Sequence, residues 1–222
     1  MRSPHPALPA LVLTGIVCTV LSVALLVLVA VEWAPLMSLD RSVADGLHSS
    51  AVVHPDVTQT NRVLTDWVWD PWAMRALVAV AVVWLLWRRE WLLAIWAAVT
   101  SALGSLVLHS LKAAVDRDRP RWPDPLDSAY SAAWPSGHAM TAVVTFGILL
   151  WLLALRGADP RLRTAVLVVG VVSCVGVGFT RIYLGVHWAS DVLGGWLLGA
   201  ALVAVMALAY GRLVSSREGT PE

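Results

Sequence analysis

The stretch LPALVLTGIVCTVLSVALLVLVAV occupies residues 8–31 and contains no charged side chain. A helix needs about 20 apolar residues to cross the hydrocarbon core of a bilayer, so this run is long enough to span it. The run also exceeds the roughly 7–15-residue apolar region of a secretory signal, and no small-x-small cleavage site closes it. We therefore expect an uncleaved first transmembrane helix.

Further apolar runs recur along the chain, which is 58% hydrophobic over 222 residues. They predict an all-α polytopic membrane protein, a bundle of six transmembrane helices in a single domain over residues 1–222. The expected helices cover about residues 9–32, 71–88, 91–111, 138–156, 163–181 and 187–211. The polar segment 33–70 is expected to be an outer loop containing short interfacial helices. The net charge of +1 leaves no basic tract for a nucleic-acid backbone, so no nucleic-acid partner is expected.

Positive charge is unevenly divided between the two faces of such a bundle. One face collects Arg2, Arg88, Arg89, Arg156, Arg161, Arg163, Arg212 and Arg217. The opposite face is rich in aspartates. Because cytoplasmic loops carry the excess of Lys and Arg, both termini are predicted to be cytoplasmic and the opposite face extracytoplasmic. Compactness and an Ala/Val/Arg-rich composition indicate a bacterial cytoplasmic membrane.

Tryptophans mark the predicted helix ends. Those that fit an interfacial belt are Trp33, Trp67, Trp69, Trp72, Trp87, Trp91, Trp151 and Trp188. Two others, Trp96 and Trp196, fit a buried core better.

Three charged clusters lie at the edges of apolar runs on the aspartate-rich face. They are Lys112-Ala-Ala-Val-Asp-Arg-Asp-Arg119-Pro120, then Pro135-Ser136-Gly137-His138, then Thr180-Arg181 with His187 and Asp191. Charged groups beside a bilayer are costly and usually mark a functional site. Together the clusters supply cations, two histidines and a carboxylate, an inventory that suits phosphoryl transfer.

His187 and Asp191 are four residues apart at the start of the sixth predicted helix, so they share a face. The carboxylate is placed to accept the Nδ1 proton of the imidazole, which leaves Nε2 to attack an electrophile. The alternative for this pair alone is a hydrogen bond at a helix start without a catalytic role.

Three cations, Lys112, Arg119 and Arg181, accompany the pair. Arginine forks match phosphate oxygens and lysine adds a point charge. The alternative is snorkelling of long basic side chains at the interface, which is a fair interpretation of Arg117 and Arg121.

The second cluster opens the fourth predicted helix. Gly137 lets the backbone approach an anion closely, and N–H groups at a helix start favour one. Ser136 adds a hydroxyl donor. His138 titrates in the range of a general acid near neutral pH and is placed to protonate a leaving oxygen.

The pattern K-x6-R-P, then P-S-G-H, then [S/T]-R-x5-H-x3-D closely resembles the signature of the type 2 phosphatidic acid phosphatase and vanadium haloperoxidase superfamily, and the six-helix prediction resembles its integral-membrane branch. One departure is Thr180, where the family commonly has serine.

The resemblance implies a phosphohydrolase without metal or other cofactor. His187 would form a phosphohistidine, Asp191 would orient it and His138 would protonate the leaving group. The remaining residues would hold phosphate oxygens: Lys112, Arg119, Ser136, Gly137 and Arg181.

The resulting hypothesis is a lipid phosphatase of the outer leaflet. The candidate substrates are polyprenyl diphosphate, phosphatidylglycerophosphate and phosphatidic acid, and the external site favours the first slightly. Alternatives are a vanadate-dependent haloperoxidase, a phosphate-binding transporter or channel, and a non-catalytic family member. The oligomeric state stays open.

Other residues are interpreted structurally. His48 and His54 share no helical face and His109 is expected to be a satisfied structural residue, so no metal site is expected. Asp116 and Asp118 are expected to pair with the motif arginines, and the alternative is that they are simply solvated. Gly195 and Gly199 predict close helix packing. No disulfide is expected between Cys18 and Cys174.

Overall fold

The computed structural model describes residues 8–218, with side chains over residues 9–216, so Arg2 and the Arg217 side chain lie outside the described part. Within it the chain is helical and contains no strand. The helices are α1 (Leu8–Ala30), α2 (Ala34–Val53), α3 (Pro55–Val63), α4 (Pro71–Trp87), α5 (Trp91–Val115), α6 (Gly137–Leu155), α7 (Pro160–Tyr183) and α8 (Ala189–Glu218). A π-helical turn, Leu64–Val68, joins α3 to α4.

Six segments of the described chain are long and apolar enough to cross a membrane, which confirms the predicted helical membrane fold. They are Pro9–Ala30, Pro55–Trp87, Trp91–Val115, Gly137–Leu155, Pro160–Tyr183 and Ala189–Ser216. The second predicted helix, 71–88, corresponds to α4, Pro71–Trp87, and the candidate span extends it backwards to Pro55. The reason is that α3, the π-helical turn and α4 follow one another with little interruption, although α3 itself is polar.

Local sequence explains where α4 and α7 begin. Each starts with a proline, Pro71 or Pro160, preceded by an aspartate whose carboxylate accepts a backbone N–H of the first turn. Proline suits the first helical position because that N–H has no partner within the helix. The aspartate caps neighbouring N–H groups and complements the helix dipole.

Helices were expected within the segment 33–70, and α2 and α3 lie there, but α2 is longer than a short interfacial helix, with twenty residues. The buried positions of α2 are Asp40, Ala44, His48 and Ala51, which follow one another at spacings of three and four. This stripe faces the rest of the protein, and α2 packs on α7 and α8. The polar segment is therefore a helix docked on the bundle.

Helix α8 packs against α1 and α6. A Cβ on Gly195 would lie 2.7 Å from the carbonyl oxygen of Ser136, and one on Gly199 would lie 3.1 Å from that of Met140. These glycines therefore let α8 touch the backbone of α6, which confirms their predicted packing role. The contact brings the start of α8 against the start of α6.

Most belt tryptophans are exposed at helix ends, as predicted, among them Trp67, Trp72 and Trp87. Trp151 is an exception, because its ring packs on buried Trp96 with centroids 4.0 Å apart. Cys18 and Cys174 are free thiols.

Candidate active site

Three segments carry the charged clusters to one end of the bundle: the end of α5, the start of α6, and the connection from α7 to α8. Helix α5 stops where Asp116 adopts a left-handed conformation (φ 44°), which aspartate tolerates better than most residues. The chain then turns, and the N–H of Ala133 donates to the carbonyl of Arg117 at 2.8 Å. The loop 116–136 thereby folds against the other two clusters.

His187 and Asp191 meet across the first turn of α8. Nδ1 of His187 lies 3.2 Å from Oδ2 of Asp191, and the two side chains are 2% and 0% exposed. The same Oδ2 accepts the backbone N–H of Trp188 at 2.8 Å. This geometry favours the tautomer in which Nδ1 carries the proton and Nε2 has a lone pair.

Burial lowers the pKa of His187 well below its usual value, and the positive charges of Arg119, Arg181 and Lys112 add to the effect. The imidazole is therefore neutral at physiological pH. A neutral imidazole is the form that can act as a nucleophile.

Arg119 faces the other nitrogen of this imidazole. Its Nη1 lies 3.2 Å from Nε2 of His187 and also donates to the carbonyl of Val186. Its Nε donates to the carbonyl of Ser131 at 2.7 Å. Burial and the neighbouring charge of Arg181 lower the pKa of Arg119 to about 10, so the guanidinium remains charged at neutral pH.

Lys112 and Arg181 reach the same region from α5 and α7. The ammonium of Lys112 donates to the carbonyl of Ala132. Nη1 of Arg181 donates to Asp127 at 3.1 Å and to the hydroxyl of Thr65 at 3.3 Å. Nε of Arg181 is buried and has no hydrogen-bond partner among the described residues.

The second cluster begins α6 and is tied to α8. The N–H of Ser136 donates to the backbone carbonyl of Asp191 at 2.9 Å, and Gly137 is the first helical residue. The hydroxyl oxygen of Ser136 is fully buried, again without a hydrogen-bond partner among the described residues. His138 follows as the second residue of α6.

The connection between α7 and α8 depends on Gly185, whose φ of 72° disfavours a side chain. A Cβ there would lie 2.4 Å from Nε1 of Trp122, which donates to the Gly185 carbonyl at 2.9 Å. The N–H of His187 then bonds to the carbonyl of Arg181 at 3.2 Å. This tight turn fixes the two motif residues relative to each other.

An open cleft of about 480 Å³ borders the cluster at the end of the bundle. Its lining includes Arg119, Asp127, Ala132 and Val186. One lining residue, Arg119, lies 3.2 Å from His187, so the cleft lies next to the residues around the buried histidine.

Three charged residues of this region were not recognised as site residues. Arg117 does not snorkel but lies between Asp40 and Asp191, with N–O distances of 2.8 and 2.6 Å. Asp127 pairs with Arg181. Asp40 could have been recognised in the sequence, because it is a carboxylate at a position of the buried stripe of α2. Asp127 and Arg117 lie in an irregular loop, where no periodic pattern marks them.

The expected pairing of Asp116 and Asp118 with motif arginines is wrong. Asp118 pairs with the non-motif Arg121 at 2.9 Å, and both are exposed. No ion pair of Asp116 occurs within residues 9–216. The reason is that Asp116 serves as the left-handed cap of α5, after which the chain turns.

The other histidines have structural partners. His48 is buried and stacks on Trp122 with ring centroids 3.9 Å apart. His54 and His109 are exposed, and each places Nδ1 within 2.8 Å of a carbonyl four residues earlier. In the described part of the chain, no group of three His, Cys, Asp or Glu side chains is arranged to hold a metal ion.

A buried histidine–carboxylate pair with cations nearby lies at one end of an apolar helical bundle whose helices are long enough to cross a membrane. The chain belongs to the PAP2 superfamily, which it matches over residues 91–215. The family resemblance drawn from the motifs is thereby confirmed. The chain is a multi-pass membrane protein of this family.

Named relatives include phosphatidylglycerophosphatase B of Bacillus subtilis, 36% identical over 94 residues, or 41% of this chain and 45% of the relative. Undecaprenyl-diphosphatase of Sulfolobus acidocaldarius is 38% identical over 78 residues, or 35% of this chain and 32% of the relative. The chain thus spans less than half the length of these curated relatives. The crystal structure of a transmembrane PAP2-type phosphatidylglycerolphosphate phosphatase from Bacillus subtilis shares the fold, with a TM-score of 0.69 and 22% identity. That match covers 90% of this chain and 97% of the other.

Proposed function

We propose that the protein is a membrane lipid phosphatase that hydrolyses a lipid phosphate or diphosphate without a metal ion. The observation that carries the proposal is a pair of buried polar atoms on Arg181 and Ser136, residues whose backbones are hydrogen-bonded to His187 and Asp191. Nε of Arg181 and Oγ of Ser136 have no hydrogen-bond partner among the described residues. Leaving such groups unpaired in a protein interior costs about 1–3 kcal/mol each. Phosphoryl oxygens are acceptors that would satisfy both donors.

The first step would transfer the phosphoryl group to the protein. Nε2 of His187 attacks phosphorus, the bond to the leaving oxygen breaks, and His138 donates its proton to that oxygen. The ring nitrogen that becomes bonded to phosphorus is at present 3.2 Å from Nη1 of Arg119. Phosphoryl oxygens would accept the hydrogen bonds of this guanidinium in place of Nε2, which frees the Nε2 lone pair for attack.

The second step would release phosphate. His138, now neutral, accepts a proton from water while the water oxygen bonds to phosphorus and the phosphorus–nitrogen bond breaks. His187 returns to its neutral form. Throughout, the proposed oxygen ligands Lys112, Arg119, Ser136, Gly137 and Arg181 would stabilise the charge that builds on the equatorial oxygens. Electrostatic stabilisation of this type is usually the largest catalytic contribution.

The location of the cluster supports a lipid substrate. Its residues lie where membrane-spanning helices end, so a headgroup could enter while apolar chains stay beside the helices. The relatives named above are phosphatases of phosphatidylglycerophosphate and undecaprenyl diphosphate, which both present phosphate on a lipid. A transport path would instead require charged groups along the bundle, whereas these gather at one end.

We further infer that this end faces outward in a cytoplasmic membrane. The opposite end carries the arginine-rich loops after α4 and α6, where Arg156 pairs with Glu90. The excess of positive charge there supports a cytoplasmic location for that end and for both termini.

The decisive experiment measures phosphate release by purified protein in detergent with excess EDTA. The substrates are undecaprenyl diphosphate, phosphatidylglycerophosphate and phosphatidic acid, and His187→Ala is the matched variant. We expect release that survives EDTA, disappears in the variant, and is accompanied by acid-labile phosphate on the wild-type chain. Absence of release from every lipid, or equal release by the variant, would contradict the proposal.

A further inference from the structure

The carboxylate of Asp191 has a second buried partner besides His187. Nη1 of Arg117 donates to Oδ1 of Asp191 at 2.6 Å, while Nη2 donates to Oδ2 of Asp40 at 2.8 Å. Asp40 lies on α2, outside residues 91–215 that match the family. Arg117 stands at a position that the spacing of the first motif leaves open. One arginine therefore joins a carboxylate of the N-terminal region to the carboxylate beside the proposed nucleophile.

Asp40 also fixes the start of α8. Its Oδ1 accepts the N–H of Ser190 at 2.9 Å, and its Oδ2 accepts the hydroxyl of the same serine. Arg117 donates to that hydroxyl as well, at 2.7 Å. Because Asp191 is the next residue, α2 holds the backbone that presents this carboxylate. The network is enclosed, with the Arg117 side chain 11% exposed and both carboxylates nearly fully buried.

We propose that Asp40 and Arg117 are positioning residues for His187. Arg117 keeps Asp191 anionic and directs its second oxygen to Nδ1, and Asp40 offsets the charge that Arg117 would otherwise impose on the pair. The inference rests on the proposed function, in which His187 attacks phosphorus.

The charge balance gives the physical reason for both residues. When Nε2 bonds to phosphorus, the imidazole ring gains positive charge that Asp191 stabilises. A lone guanidinium on Asp191 would weaken this stabilisation, since Asp191 would already be neutralised. With Asp40 on the same guanidinium, the three groups keep one net negative charge beside the ring. A difference of one charge beside the ring strongly changes the stability of the positively charged imidazole, because the interior has a low effective dielectric constant.

Arginine is required by geometry as well as by charge. Its two terminal nitrogens reach two carboxylates in different helices at once, a bridge that the single ammonium of lysine reproduces poorly. The ring of Trp188 lies 5.6 Å from the guanidinium carbon and covers it from one side. The bridge thus has a fixed orientation.

The kinetic test uses Asp40→Asn in the full-length protein. We expect kcat to fall about 10–100-fold, by analogy with the loss of a residue that orients a metal-bound histidine. KM is expected to stay within about twofold, because Asp40 contacts Arg117 and Ser190 and none of the proposed phosphate ligands. Asp45→Asn is the matched control, the same change at an exposed position of the same helix. A rise in KM as large as the fall in kcat would overturn the inference. So would equal losses of kcat in Asp40→Asn and Asp45→Asn.

A double-mutant cycle separates electrostatics from loss of folding. Arg117→Met leaves two buried carboxylates without their cation and is expected to be the most damaged variant. Adding Asp40→Asn to it removes one of the carboxylates and restores one net negative charge beside His187. The double variant is therefore expected to be more active than the product of the two single losses predicts. Losses that simply multiply would refute the charge-balance argument.

A third readout does not require turnover. In protein labelled with ¹⁵N-histidine, the Nδ1 proton resonance of His187 can be assigned by its loss in His187→Ala. Asp40→Asn is expected to shift this resonance, whereas Asp45→Asn is expected to leave it in place. If the wild type hydrolyses no lipid phosphate, the proposed function fails and this measurement still decides the network. An unchanged resonance in Asp40→Asn would then overturn it.

Discussion

Replacement of Gly185 with alanine tests how the turn between α7 and α8 holds His187. The φ of 72° places Gly185 in the left-handed region, which costs an ordinary residue about 1–2 kcal/mol. The added Cβ would also lie 2.4 Å from Nε1 of Trp122 and 3.1 Å from Nδ1 of His48. Backbone strain and crowding therefore act together.

Trp122 cannot move away without losing its own interactions. It donates to the carbonyl of Gly185 at 2.9 Å and stacks on His48 with centroids 3.9 Å apart. A hydrogen bond contributes about 1 kcal/mol and a stacked ring pair about 0.5–1.5 kcal/mol. Added to the backbone strain, these losses give an expected destabilisation of about 3 kcal/mol for Gly185→Ala.

Gly157→Ala is the matched control, because Gly157 has a φ of 60° and no atom within 4 Å of an added Cβ. Gly157→Ala is expected to lower the free energy of unfolding by backbone strain alone, about 1 kcal/mol. Midpoints of thermal unfolding in detergent measure both variants. Since His187 follows Gly185 by two residues, phosphatase activity is expected to fall only in Gly185→Ala. Equal midpoints for the two variants would refute the role assigned to the Trp122 contact.

Three further outcomes follow from the site. Ser136→Ala is expected to lower kcat by about 10²–10³ as for other oxyanion donors, yet to leave the unfolding midpoint unchanged, because its hydroxyl has no partner within the described chain. In Arg119→Ala, loss of a positive charge raises the pKa of His187 toward its usual value of 6.5. Since the neutral imidazole reacts, the acid limb of kcat/KM is expected to move to higher pH, and a limb that stays in place would contradict this. Arg121→Ala removes only an exposed pair with Asp118, so stability and kcat/KM are both expected to stay at wild-type values.

Hydropathy and motif spacing were sufficient to predict the membrane-spanning helices and the meeting of His187 with Asp191. Both rest on local rules: about 20 apolar residues span a bilayer, and side chains four apart share a helical face. The extension of the second span back to Pro55 was not predicted, because hydropathy falls in the polar helix α3. Only short interfacial helices were predicted within the segment 33–70, because polar residues mask the narrow buried stripe of α2.

The partners of the motif residues could not be predicted from the same rules. Arg117 is flanked by Asp116 and Asp118, and only the left-handed cap at Asp116 decides which side chain turns inward. Its contact with Asp40 joins residues 77 positions apart. Such a pair is set by how α2 docks, which no periodicity within either segment encodes. Asp127 is likewise brought to Arg181 by the path of an irregular loop.

The balance of charge at this end of the bundle explains why a phosphoryl group suits it. Arg117 and Arg181 are already matched by buried or half-buried aspartates. Lys112 and Arg119, in contrast, form no ion pair among the described residues and donate chiefly to backbone carbonyls. Holding two cations out of water without counter-charge is unfavourable, and a ligand with two negative charges would offset that cost. In the proposed function, the matched arginines would therefore supply geometry and donors, whereas the unmatched pair would supply the charge that selects a dianion.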